Sequence, residues 1–180
     1  MWALIILAVF AVGIILIYNG LVKLRVQCDN AWADIDVQLK RRYDLIPNLV
    51  ETVKGYASHE RDTLEAVINA RARAMSAQGP AARAEAESAL TGALRSLFAL
   101  SEAYPQLRAV ESFSNLQNQL SQIEDAIQNA RRYYNAIVRD LNTRIEQFPS
   151  NIIARSFGFK PREFFEIPDT ERDAPRVSFS

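Results

Sequence analysis

The sequence predicts an all-α protein: an amino-terminal transmembrane helix continuing into an antiparallel bundle of about four long helices, with an extended aromatic carboxyl-terminal tail. Three observations carry that expectation. The first 22 residues hold no charged side chain. Behind them, apolar residues recur at spacings of three and four, the period of a helix with one buried face. Alanine, leucine, glutamate, arginine and glutamine dominate, while glycine and proline are sparse, a composition that favours helix over sheet. The expected divisions are an anchor at 1–22, a helical bundle at 23–148, and a short helix with a docking tail at 149–180.

The anchor is "MWALIILAVFAVGIILIYNGLV". As a helix it spans about 33 Å, enough for a hydrocarbon core of roughly 30 Å. Its lipid-facing surface is drawn from Trp2, Leu4, Ile5, Ile6, Leu7, Ile14, Ile15, Leu16, Ile17 and Tyr18. Trp2 and Tyr18 stand at the two ends, where amphipathic rings prefer the headgroup level. The rival reading is a cleaved signal peptide. It meets two obstacles: no basic region precedes the apolar run, and the small-x-small site Ala11-Val12-Gly13 lies inside it. Cys28 follows Arg25-Val26-Gln27, which is no lipobox. Lys23, Arg25, Lys40, Arg41 and Arg42 follow the span and none precedes it, so the positive-inside rule puts the body in the cytoplasm of a single-pass bacterial inner-membrane protein. The periplasm is the alternative.

The first bundle helix shows its period at Cys28, Trp32, Ile35, Leu39, Tyr43, Ile46, Val50 and Val53. The series crosses Pro47 in phase, which predicts a kink and no stop. No turn signal separates anchor from bundle, and Gly20 is the one weak point. Gly55 and Ser58 mark a corner, with Ser58 as the expected cap of a second helix bearing Leu64, Val67, Ile68, Arg71 and Met75. Gly79 is expected to end that helix and Pro80 to open a third. The third presents Leu90, Leu94, Leu97, Ser101 and Tyr104, and Pro105 closes it. The fourth carries Phe113, Leu116, Leu120, Ile123, Ile127, Ala130, Tyr134, Ile137 and Leu141, a heptad seam of coiled-coil type. Beyond Phe148-Pro149, Ile152, Ile153 and Phe157 suit one short helix. The last 31 residues hold five of the nine phenylalanines, too many for a purely disordered tail. Phe164, Phe165, Ile167, Val177 and Phe179 are expected to dock on their own bundle or a neighbour's.

Two stretches are recognisable. "YNGLVKLRVQCDNAWADIDVQLKRRYDLIPNLVETVKGYASHE", Tyr18 to Glu60, resembles the opening of the LemA family. Glu102 to Glu166, which includes "SNLQNQLSQIEDAIQNARRYYNAIVRDLNTRIEQFPSNIIARSFGFKPREFFE", resembles its second half. The resemblance implies a helical bundle behind a membrane helix with the amino terminus facing outward, and it implies no established reaction. Some members carry a lipoprotein cysteine just before the Tyr-Asn pair; here that position is Ile17. A member of the same family belongs to the magnetosome membrane and is linked to forming it.

Charges and reactive groups narrow the function further. Equal numbers of acidic and basic residues give no field that would draw nucleic acid. One cysteine and one histidine leave no intramolecular disulfide, no cysteine-based zinc cage and little for a triad, and His59-Glu60 fails H-E-x-x-H because Thr63 stands where the second histidine belongs. No catalytic residue, metal ligand or cofactor site is expected. Arg41, Asp44, Asn48 and Glu51 share one helical face. That face reads either as an interface or as an intrahelical ladder, with Arg41 paired to Asp44, Glu51 to Lys54, and Asn48 serving backbone freed by Pro47. Tyr133 points away from the seam and, with Phe164, Phe165 and Phe179, completes the candidate interface set. The resulting expectation is a non-enzymatic scaffold that partners the lipid bilayer and further copies of itself. The alternative is an adaptor for another membrane protein such as a protease.

Overall fold

The computed structural model describes residues 1–166; Ile167, Val177 and Phe179 of the expected docking tail lie outside the described residues. Among the described residues the regular structure is helical: α1 Trp2–Lys54, α2 Arg61–Ser76, α3 Pro80–Ser101, α4 Pro105–Arg108, α5 Glu111–Glu146 and α6 Ser150–Ser156. The all-α expectation holds, with the long apolar helix at the amino terminus.

Helix α1 runs for 53 residues. Neither Gly20 nor Pro47 interrupts it, because a proline removes one donor and one bond from a helix and leaves the flanking turns intact. The chain divides into two compact units to which α1 and α5 both contribute. One unit comprises Met1–Asp36 and Asn129–Phe164. Its core draws Leu21, Cys28, Ala31 and Ile35 from α1, Tyr134, Val138, Leu141 and Ile145 from α5, and Ala154 from α6. The other unit takes Val37–Gln128 together with Phe165 and Glu166. There Leu39, Ile46, Leu49 and Val53 of α1 are buried, as are Val67 of α2, Leu90 and Leu97 of α3, Leu107 of α4, Phe113 of α5 and Phe165. Phe98 and Phe113 meet edge-on with ring centroids 6.2 Å apart, the arrangement their quadrupoles favour.

Every seam residue named for α1 is buried except Trp32, which is half-buried against Tyr134 at 5.3 Å between rings. Elsewhere the seams need correction. In α2 the buried stripe is Leu64, Val67, Ala70 and Ala74, while Ile68 and Met75 are exposed. Small alanines permit close approach of a neighbouring helix, so side-chain size misdirected the reading. In α5 Val138 is buried in place of Ile137, which is half-buried.

The corners differ too. Ser58 is not the cap of α2: Glu60 holds that position without a capping bond, and its carboxylate accepts the Tyr104 hydroxyl at 3.1 Å. Gly79, at φ +83°, precedes α3 and leaves Ala77 to end α2. Pro80 opens α3 as expected. Pro105 opens the extra turn α4.

Candidate functional site

The most unusual chemistry inside the fold is a buried ionic network on α1, α3 and α5. Arg42 lies one turn from Leu39 and Ile46, so the seam carries it inward, and it is only 5% exposed. Its Nη1 sits 3.0 Å from Glu87 Oε2 and 3.1 Å from Glu124 Oε2. Nη2 donates to Thr91 Oγ1 at 2.9 Å. The other oxygen of Glu87 accepts the Tyr43 hydroxyl. A buried charge is tolerable only when paired and hydrogen-bonded, and here one guanidinium serves two carboxylates. Burial pushes the Glu87 carboxyl above its ordinary range, with Glu124 adding to the effect and Tyr43 and Arg42 opposing it. Burial, then the bond to Glu87, also raises the Tyr43 phenol, which therefore stays a donor.

Beside this network lies the answer to Pro47. Proline has no N–H, so the carbonyl four residues earlier, that of Tyr43, loses its helical donor. Arg71 Nε of α2 donates to that oxygen at 2.8 Å. The expectation that Asn48 would serve the freed backbone is corrected. Asn48 is exposed, and its own carbonyl accepts Thr52 Oγ1 at 2.8 Å. A guanidinium on a neighbouring helix reaches where a short amide on the same helix does not.

Arg41, Asp44, Asn48 and Glu51 all lie on the exposed side of α1. One pairing of that ladder differs from expectation, since Asp44 is bound by Lys40 at 2.7 Å, the i,i+4 spacing. Glu51 and Lys54 approach to 3.9 Å. Tyr133 is exposed, Phe164 half-buried and Phe165 buried. Among the described residues no group of three or more His, Cys, Asp or Glu is placed to hold a metal.

In the unit built on Met1–Asp36, the anchor residues Trp2, Leu4, Ile5, Ile6, Leu7, Ile15 and Leu16 are exposed; Ile14, Ile17 and Tyr18 are half-buried. So large an exposed apolar surface marks an interaction site, and α1 is long and apolar enough to cross a membrane. Where that surface ends, aromatic residues from the far end of the chain return. Tyr18 meets Phe157 at 4.8 Å and Phe159 at 5.9 Å, and the Arg25 guanidinium sits 5.3 Å over the Phe159 ring. An open groove lined by Gly20, Leu24, Arg139, Thr143 and Arg144 lies at the same level of α1. The returning segment is clasped by Asn142, whose side chain takes the Arg162 N–H at 2.8 Å and donates to the Arg162 carbonyl at 2.9 Å. Arg162 pairs with Asp29 at 2.6 Å, and the Tyr134 hydroxyl donates to the Glu163 carbonyl at 2.9 Å. Cys28, on the same face, is fully buried, and burial pushes its thiol up.

A family model described as the LemA family matches residues 31–179. The chain belongs to the LemA family. Among its relatives, the protein LemA of Metamycoplasma hominis is 25% identical over 158 residues, 86% of this chain and 71% of that protein. Magnetosome protein MamQ 2 of Paramagnetospirillum magneticum is 25% identical over 183 residues, covering 87% and 67%. The MamQ of Magnetospirillum gryphiswaldense is 24% identical over 200 residues, covering 95% and 74%. The LemA-family match takes in Arg42, Tyr43, Pro47, Glu87 and Glu124 as well as α6 and the clasped segment.

The sequence reading missed this network. Its signal was nonetheless present: Glu87 stands three residues before Leu90 and seven before Leu94, and Arg42 stands between Leu39 and Ile46 at spacings of three and four. Polar residues at seam positions announce themselves by register alone.

Proposed function

We propose that this LemA-family protein is a membrane-anchored, non-enzymatic helical scaffold that self-associates in the plane of the bilayer and organises or shapes it. The observation that carries this reading is the unbroken course of α1, from an exposed apolar surface into seams that hold the helical body. Anchoring confines many copies to one plane and raises their effective concentration, so modest contacts suffice for assembly. Relatives named as magnetosome proteins support a role on a membrane. Arg42, Glu87, Glu124 and Tyr43 satisfy one another in the interior, and a network so saturated supports a structural role over a catalytic one.

Detergent-extracted full-length protein, sized by light scattering and imaged directly, is expected to form homo-oligomers. A strictly monomeric particle at high protein concentration overturns the reading. The exposed face of Arg41, Asp44, Asn48 and Glu51 favours a second reading, an adaptor for another membrane protein. Purification from native membranes would then yield a heteromer of fixed ratio.

A further inference from the structure

We propose that the α5–α6 turn and α6 form a second membrane contact, a foot that lays Phe148, Ile152 and Phe157 into the headgroup and upper acyl region beside the point where α1 leaves the bilayer. Three observations converge on it. Phe148 is 75% exposed, Ile152 56% and Phe157 58%, more than the other exposed large apolar residues of this unit beyond Leu21, which are Val26 at 46% and Tyr133 at 53%. Three large side chains within ten residues, left uncovered on one short segment, are an apolar patch in want of a partner.

The patch is also tied to the anchor. Phe157 meets Tyr18 at 4.8 Å, and Tyr18 is the aromatic residue at the end of the exposed apolar run. A surface held there lies at the level where Trp, Tyr and Phe settle in a bilayer interface. Whatever covers it must be continuous with what covers Leu16 and Ile15, and that is lipid.

The charges agree with this placement. The chain as a whole is neutral, yet Tyr18–Arg25 and Arg144–Lys160 together hold Lys23, Arg25, Arg144, Arg155 and Lys160 against Glu146 as the one carboxylate. Exposed basic side chains flanking an interfacial apolar patch fit the phosphates of an anionic leaflet. The occupant is therefore an anionic bilayer.

The foot rests on the reading of α1 as a retained span, and its test separates the two. Nitroxide labels are placed on the full-length C28A protein by Ile152→Cys, with Phe10→Cys as the lipid control and Ala33→Cys as the water control. The protein is reconstituted into vesicles of phosphatidylcholine and phosphatidylglycerol, with helicity checked by circular dichroism. Collision with oxygen, which concentrates in lipid, is compared with collision with an aqueous nickel chelate. The expected result is an oxygen-to-nickel ratio at position 152 severalfold above that at 33 and approaching that at 10, falling when phosphatidylglycerol is omitted. A label at 152 as open to nickel as the one at 33 overturns the foot; position 10 then shows whether the span has failed with it. A label shielded from both reagents also overturns it, because protein has taken the place assigned to lipid. Repeating the measurement with Phe148→Cys guards against a local effect of one substitution.

Discussion

Glu87 shows how much one side chain can decide. Its carboxyl is held above the ordinary 4.5 because burial penalises the charge more than Arg42 and Tyr43 relieve it. The folded protein therefore keeps that proton more tightly than the unfolded chain does. The stability linked to it is complete below the ordinary value and drains away as pH rises through the raised one. Thermal midpoints from about pH 4 to pH 8 are expected to fall more steeply for the native protein than for E87Q, and parallel slopes would refute this. Arg42→Ala is harsher. It strands Glu87 and Glu124 without their cation and is expected to destabilise the protein by about 3–5 kcal/mol in denaturant unfolding at neutral pH. Replacing Arg42, Tyr43, Glu87 and Glu124 together with Met, Phe, Leu and Leu is expected to cost far less, since the paired charges leave together.

Helices and their connections were legible to different degrees. The seam of α1 from Cys28 to Val53 could be read directly, because β-branched and large aliphatic side chains at helical spacing have few other uses. The stripe of α2 could not, since Ala70 and Ala74 pack by being small, and hydrophobicity alone ranks Ile68 and Met75 above them. Caps failed for a related reason. Ser58 had the right chemistry, but Glu60 was claimed by Tyr104, a partner 44 residues away that no local rule reveals. The clasp on Arg162 was equally invisible, because Asn142 lies on the far side of a turn from the backbone it holds. One amide there replaces the two bonds a neighbouring strand would make. Asn142→Ala is expected to cost about 1–3 kcal/mol locally. Hydrogen exchange should show faster exchange at residues 159–166 with α5 unchanged; unaltered exchange there would mean the clasp holds nothing.

For the molecule as a whole, the charge-free opening was the clearest signal in the sequence, and the family match accords with the order of elements read behind it. The polar network was the least legible, because its members come from three helices and are brought together only by folding. From the basic residues behind the apolar stretch we propose that the body lies on the cytoplasmic side. A membrane-impermeant maleimide is expected to leave Ala33→Cys in the C28A protein unmodified in intact cells and to react once they are opened. Modification in intact cells would put the body outside.

Pro47 and Arg71 have a consequence for how the chain finds its register. Two regular helices look alike to each other every 5.4 Å, and a slip by one turn forfeits little backbone chemistry. A single vacant carbonyl, met by a single guanidinium, breaks that degeneracy: every slipped alignment leaves one oxygen thirsty and one cation astray. What resembles a flaw in the longest helix acts as a vernier mark against which its neighbour is set.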